Sequence, residues 1–246
     1  MAIREEVRRR GRGVGEGSTR GVAVLLTGLA LAGCAFIAPA AAQQTLFNVP
    51  SADVLPAGKL YLEEDNFWRP GRLEDTYVTL RAVAGLGSAI EAGVNVGGLA
   101  AQGRSAPAAI LAVKWQPVHA SRWAVTTGIS GQFFLRGSRD GSPSAHAYAH
   151  AAWTPGENTR LTGGVWYATS GYADAGVTKG VLGGIEQRLS STLLFQADWY
   201  SGRNGLGTFT PGFSWTIEQW VVYAGYSVKN GDSNGNAVLV ELGRYW

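Results

Sequence analysis

Few side chains in this chain could do chemistry. Three histidines, one cysteine and a set of carboxylates at alternating positions make up most of them. His146 and His150 are four residues apart. On a helix, that spacing puts two imidazoles on one face, where they can share a metal. On a strand, four residues span roughly 13 Å, too far for one ion. Ala145, Ala147, Ala149 and Ala151 alternate with His146, Tyr148 and His150, which reads as a strand, with a helix as the alternative. His119 falls in a short connection. Asp232-Ser233-Asn234-Gly235-Asn236 has the residue types of a calcium loop, but its glycine is misplaced and no terminal Glu follows. Its Asn-Gly pair is a hairpin former. Gly11-Arg12-Gly13-Val14-Gly15 has no strand before it to frame a phosphate loop. The sequence therefore predicts no metal and no cofactor.

The carboxylates are more informative. Glu63, Asp65, Glu91, Glu186, Asp198 and Glu241 sit in runs that alternate apolar and polar residues, always on the polar parity. Lys59, Arg81, Lys114 and Asn95 share that parity. If the polar parity lines a lumen, the balance there is acidic. A ring of carboxylates in a confined pore attracts cations. The same groups can instead form a paired network that keeps an interior from collapsing, and both readings stand at this point.

The elements that must carry these residues are strands, because side chains alternate with period two. Twelve candidate runs follow one another, at about 59–67, 75–84, 88–97, 108–116, 122–134, 144–153, 159–169, 177–187, 192–200, 207–216, 220–228 and 237–246. Most approach the roughly 9–11 residues that cross a bilayer as a tilted strand. Short turns near 85–87, 117–121, 154–158, 188–191 and 217–219 alternate with longer polar loops near 68–74, 98–107, 135–143, 170–176, 201–206 and 229–235. One face of each run is aliphatic. In lipid every backbone polar group must be paired, so a sheet with such a face must close on itself. The fold expected is all-β, a closed antiparallel transmembrane β-barrel of about twelve strands over 59–246. Its lumen-lining set is Glu63, Asp65, Arg81, Glu91, Asn95, Lys114, Glu186, Asp198 and Glu241, with Gly93, Gly164, Gly180, Gly184, Gly212, Gly225 and Gly243 leaving room.

Tryptophan supports that register. Trp115, Trp123, Trp153, Trp215, Trp220 and Trp246 fall at short-turn ends, while Trp68, Trp166 and Trp199 fall at or near long-loop ends. Indole prefers the membrane–water interface, so two belts are expected.

Residues 1–42 read differently. An Arg-rich head, the apolar run Val22–Ala38 and the small residues Ala40-Ala41-Ala42 follow the order of a cleaved secretory signal peptide. Leu31-Ala32-Gly33-Cys34 is similar to a lipoprotein lipobox, so lipidation at Cys34 is the competing reading. This segment holds six arginines and three glutamates of the chain's 21 basic and 18 acidic residues, which leaves 15 of each elsewhere. The net charge of +3 is therefore no sign of a nucleic-acid partner.

The last run, Ala237-Val238-Leu239-Val240-Glu241-Leu242-Gly243-Arg244-Tyr245-Trp246, resembles the closing strand of a Gram-negative outer-membrane β-barrel, which ends on an aromatic residue. Arg244 departs from the pattern, where the family has an apolar or aromatic residue. The resemblance implies short turns on the periplasmic side, longer loops outside and residence in the outer membrane. It also implies contact with outer-membrane lipid and lipopolysaccharide, and recognition of the last strand by the assembly machinery. Residues 43–58 read as an extended periplasmic lead-in or partial plug. Phe47–Gly58 resembles an entry motif of barrel proteins linked to exopolysaccharide export, which makes 43–58 a candidate contact for an envelope partner. Outer-membrane phospholipases also use twelve strands, but need a lipid-facing His and Ser with an orienting Asn. Here Ser144 and His146 run in reverse order and face inward. Asp140 and His146 lack the second pair of an outer-membrane protease. The sequence thus points to a narrow passive channel with a mildly acidic, cation-preferring lumen and no enzymatic activity. The alternatives are a non-conducting structural or polysaccharide-export accessory barrel and, last, a barrel-embedded hydrolase.

Overall fold

A computed structural model describes residues 45–246, apart from 73–75, 101–106, 136–143, 175 and 232–234. The signal-peptide segment, Cys34, Asp140 and the Asp232–Asn234 part of the calcium-like loop lie outside the described residues. Twelve strands make up the fold: β1 Leu60–Trp68, β2 Tyr77–Gly87, β3 Ile90–Ala100, β4 Ala108–His119, β5 Trp123–Phe134, β6 Ser144–Trp153, β7 Thr159–Ala168, β8 Lys179–Arg188, β9 Leu193–Tyr200, β10 Thr208–Ile217, β11 Trp220–Lys229 and β12 Ala237–Tyr245. Each pairs antiparallel with its sequence neighbours, and β1 pairs with β12 to close the barrel. The only α-helical turn among the described residues is α1, Ser170–Ala173, between β7 and β8. No described helix is long and apolar enough to cross a membrane.

The alternation read from the sequence sets the two faces. Leu80, Leu111, Ile129, Val165 and Phe213 are exposed on the outer face, whereas Glu63, Glu91, Lys114, Glu186 and Asp198 are buried on the inner one. An apolar outer surface with polar groups inside inverts a soluble protein and suits a wall that faces lipid. The closing register opposes Tyr61 to Tyr245 and Asp65 to Glu241. Ser88 and Ala89, both at positive φ (50° and 56°), make the tight two-residue link between β2 and β3.

Several boundaries move. β4 runs through Pro117 to His119, residues expected in a turn. Its pairing with β5 shifts register between Trp115 and Val118, and a proline that cannot donate fits at such an irregularity. β6 is a strand, and the helix alternative for the two histidines falls away.

Trp115, Trp123, Trp153 and Trp215 are exposed, and the stacked rings of Trp123 and Trp153 lie 5.8 Å apart. Trp220 and Trp246 are half-buried, because the Arg244 guanidinium lies between them, 4.9 Å and 3.7 Å from their ring centroids. The residue that breaks the closing-strand pattern is thus stacked on two aromatic rings. Trp166 corrects the belt expectation: it is buried on the inner face, and its Nε1 donates to the Val181 carbonyl at 3.2 Å. Its even-numbered parity with Thr162 and Gly164 outweighs its nearness to a loop.

Refolded residues 43–246 are expected to migrate differently boiled and unboiled on a gel. Arg244→Ala is expected to lower the temperature at which the unboiled form is lost, with each cation–π contact contributing about 1 kcal/mol. An unchanged temperature would show that the stack contributes nothing.

Candidate functional site: a charged lumen and an inner segment

Parity brings Glu63 and Asp65 of β1, Arg81 of β2, Glu91 and Asn95 of β3, Lys114 of β4, Glu186 of β8, Asp198 of β9 and Glu241 of β12 to the inner face. The three cations there each pair with acids. Arg81 bridges Glu63 at 2.8 Å and Asp65 at 3.0 Å. Lys114 Nζ lies 2.8 Å from Glu91. Arg160 of β7 grips Glu186 with a two-point fork, Nε and Nη2 donating at 2.5 and 2.6 Å.

The remaining capacity of these groups goes to the chain itself. Residues 45–55 run inside the barrel, with Leu46, Phe47, Val49, Ser51, Ala52 and Leu55 all buried. The segment opens with a tight turn, Leu46 N–H donating to the Val49 carbonyl at 2.8 Å. That turn aims three successive amides at one carboxylate. Phe47, Asn48 and Val49 N–H donate to Asp198 Oδ2 at 3.0, 2.5 and 2.7 Å, the concave arrangement of amides that suits an anion. Gln196 Nε2 donates to the Leu46 carbonyl at 2.7 Å, and Arg81 Nη1 to Thr45 Oγ1 at 2.8 Å. Further along, Gln116 Nε2 and Thr126 Oγ1 donate to the Ala52 carbonyl at 2.5 and 3.0 Å. Leu55 N–H donates to Glu91 Oε2 at 2.8 Å, and Arg160 Nη1 bridges Asp53 at 2.7 Å. An extended segment buried without strand partners must satisfy its backbone groups somewhere; here the lumen side chains do it.

Inner-face glycines make the room. A methyl at Gly184 would lie 2.6 Å from Leu46 Cδ2, and one at Gly212 2.5 Å from the Phe47 ring. The space left by these glycines is filled by the inner segment, not left open. Around Gly164, Gly180 and Gly243 it is filled by His150, Trp166 and Tyr61.

The inner segment touches a cavity on each side of it. One of about 370 Å³ is lined by Thr45, Asp65, Asn95, Tyr148, Tyr172 and Lys229 and lies toward the long loops. The other, about 230 Å³, is lined by Asp53, Glu157, Arg160, Glu186 and Thr192 and lies toward the short turns. In the first, Ser130 Oγ donates to the Tyr172 hydroxyl at 3.2 Å, and burial raises that phenol above its ordinary pKa. His146 stacks on Tyr172 with centroids 5.2 Å apart. Ser144 and His146 share the inner face.

Arg160, Asp53, Gln196 and the amides of 47–49 were not among the expected site residues. Arg160 was legible by parity with Thr162 and Gly164. The amides were not, because an anion-binding turn carries no side-chain signature.

No protein-family model and no curated protein sequence matches the chain. Among solved structures, the KdgM porin is similar in fold, both alone and in complex with disordered oligogalacturonate. Each superposes with a TM-score of 0.55 over 76% of this chain and 98% of the porin, at 7% identity. The fold is that of an outer-membrane β-barrel.

Asp198→Ala is expected to free the turn. It leaves three amides without their acceptor, at a cost of about 4–5 kcal/mol. A Val49→Cys probe should resist maleimide in the otherwise unchanged barrel and react once Asp198→Ala is added. Equal labelling in both backgrounds would mean that Asp198 does not hold the segment.

Proposed function

We propose that this chain is a porin-like channel of the outer membrane, narrow and cation-preferring, whose path is restricted by residues 45–55. The observation that carries this reading is the pair of cavities on opposite sides of one inner segment, inside a closed barrel with an apolar outer face. The likeness to the KdgM porin supports the same class. Its ligand, oligogalacturonate, is a polyanion. The inner acids Glu63, Asp65, Glu91, Glu186, Asp198 and Glu241, with Asp53 of the segment, outnumber Arg81, Lys114 and Arg160, so this lumen favours cations over a polyanion.

Passage requires no enzymatic step, and no catalytic residue is assigned. The outer face would sit in lipid and lipopolysaccharide after export through the cleaved signal peptide. The last strand would be read by the assembly machinery. An envelope partner engaging 43–58 would have to meet residues outside the lumen, or the segment after its release.

One observation favours a second reading, a non-conducting structural barrel: the inner segment is anchored at both ends, by Asp198 and by Arg160. Planar-bilayer recording separates the two. A channel predicts small cation-preferring steps for the mature chain and larger ones when 45–55 is deleted, with cation preference reduced by Glu91→Gln or Glu186→Gln. Silence in both forms would establish the structural reading.

A further inference from the structure

The seam that closes the barrel brings three of the lumen acids together. Glu63 and Asp65 of β1 and Glu241 of β12 bring one carboxylate oxygen each to within 4.8 Å of one another, all three residues being buried. Asp65 and Glu241 face each other across the closing pair. Among the described residues, the cation bridged to these carboxylates is Arg81, which is committed to Glu63 and Asp65. Glu241 is 1% exposed, and its Oε2 is buried without a hydrogen-bond partner. Asp65 Oδ1, likewise buried, has no partner either. Buried acceptors are normally satisfied, and a buried carboxylate without a counter-charge costs several kcal/mol. When ionised, the group holds two negative charges in excess of Arg81.

We propose that Glu63, Asp65 and Glu241 form a binding site for one divalent cation, of the calcium or magnesium class, that clamps the first strand to the last. The geometry fits. Oxygens on opposite sides of a calcium ion, each about 2.4 Å away, lie about 4.8 Å apart. The donors are all hard carboxylate oxygens, which suit calcium, magnesium or manganese rather than a soft metal. One such ion supplies the charge that Arg81 leaves uncompensated and gives Glu241 Oε2 and Asp65 Oδ1 a partner. The ligands come from opposite ends of the chain, separated by 178 positions between Glu63 and Glu241, so the site exists only in the closed barrel. Binding therefore favours closure by mass action.

The test uses protein refolded in detergent without lipopolysaccharide, stripped with EDTA and titrated calorimetrically with calcium chloride and, separately, magnesium chloride. The expected result is one ion per barrel for at least one of the two salts, with a matching rise in the temperature at which the unboiled gel form is lost. Glu241→Gln, which keeps the side-chain volume, should weaken binding at least tenfold while the barrel still closes. Glu218→Gln, at the exposed short link between β10 and β11, should bind as the unchanged protein does. No heat and no thermal shift with either salt overturns the proposal, as does equal binding by Glu241→Gln. Should Glu241→Gln fail to close, Asp65→Asn takes its place, with the same readings. Conductance is not among the readouts, so a silent channel leaves this result unaffected.

Discussion

Backbone pairing at the β1–β12 seam is the constraint on which the rest depends. A sheet with an aliphatic outer face cannot leave an edge in lipid, where nothing solvates a free amide or carbonyl. The register Tyr61–Tyr245 to Trp68–Val238 removes that edge. Once closed, parity is no longer local. The inward positions of every strand are delivered to one enclosed space, so side chains far apart in sequence, such as Asp65 and Glu241, become neighbours. Closure also brings Arg244 between Trp220 and Trp246, on the outside of the same seam. One strand thus carries a charge on each face, the outer one on aromatic rings and the inner one among acids.

A twelve-strand barrel is wider than one that side chains alone fill. This chain fills part of the excess with its own residues 45–55. The arrangement works because the two polymers are complementary in kind. The lumen offers side-chain carboxylates, amides and cations; the inner segment offers mostly backbone groups. Asp198 takes three amides, Gln116 and Thr126 share one carbonyl, and Glu91 divides itself between Lys114 and an amide. Glycine at 184 and 212 leaves depth where Leu46 and Phe47 must sit. A lumen read only as a ring of charges misses this, because the charges are spent on a polymer rather than on solvent.

That difference marks how far the sequence could be read. The twelve strands, their order and the inward parity of Glu63, Arg81, Glu91, Lys114, Glu186 and Asp198 were legible, since each depends on period two alone. Trp166 was misplaced because two rules conflicted there, parity and loop proximity, and parity is enforced by pleating along the whole strand. His119 was assigned to a turn because Pro117 usually ends pairing, whereas a register irregularity accommodates it. Arg160 followed the rule and was overlooked at a strand edge. The turn at 46–49 carries no alternation, so nothing in its residue types says which backbone groups will face an acid. Pairing across the seam was equally invisible: the acids of β1 and β12 each look like single lumen charges until closure sets them face to face.

The same charges serve two demands that pull against each other. A permeant cation gains from carboxylates that are free to face it, while the inner segment is held only by carboxylates committed to it. Releasing the turn breaks three charge-assisted bonds at Asp198, and freeing the other end breaks the Asp53–Arg160 pair. At about 1.5 kcal/mol net for each of the three bonds, the loss is about 4–5 kcal/mol. Each 1.4 kcal/mol is a factor of ten in population, so spontaneous release would occupy on the order of one molecule in a thousand. Thermal fluctuation is therefore a poor gate. On the proposed channel reading, a path for ions would skirt the segment between the two cavities, past side chains that already have partners. That sets its width by the segment's packing and its selectivity by whatever charge is left over. The largest such remainder lies at the seam, where three acids meet one arginine.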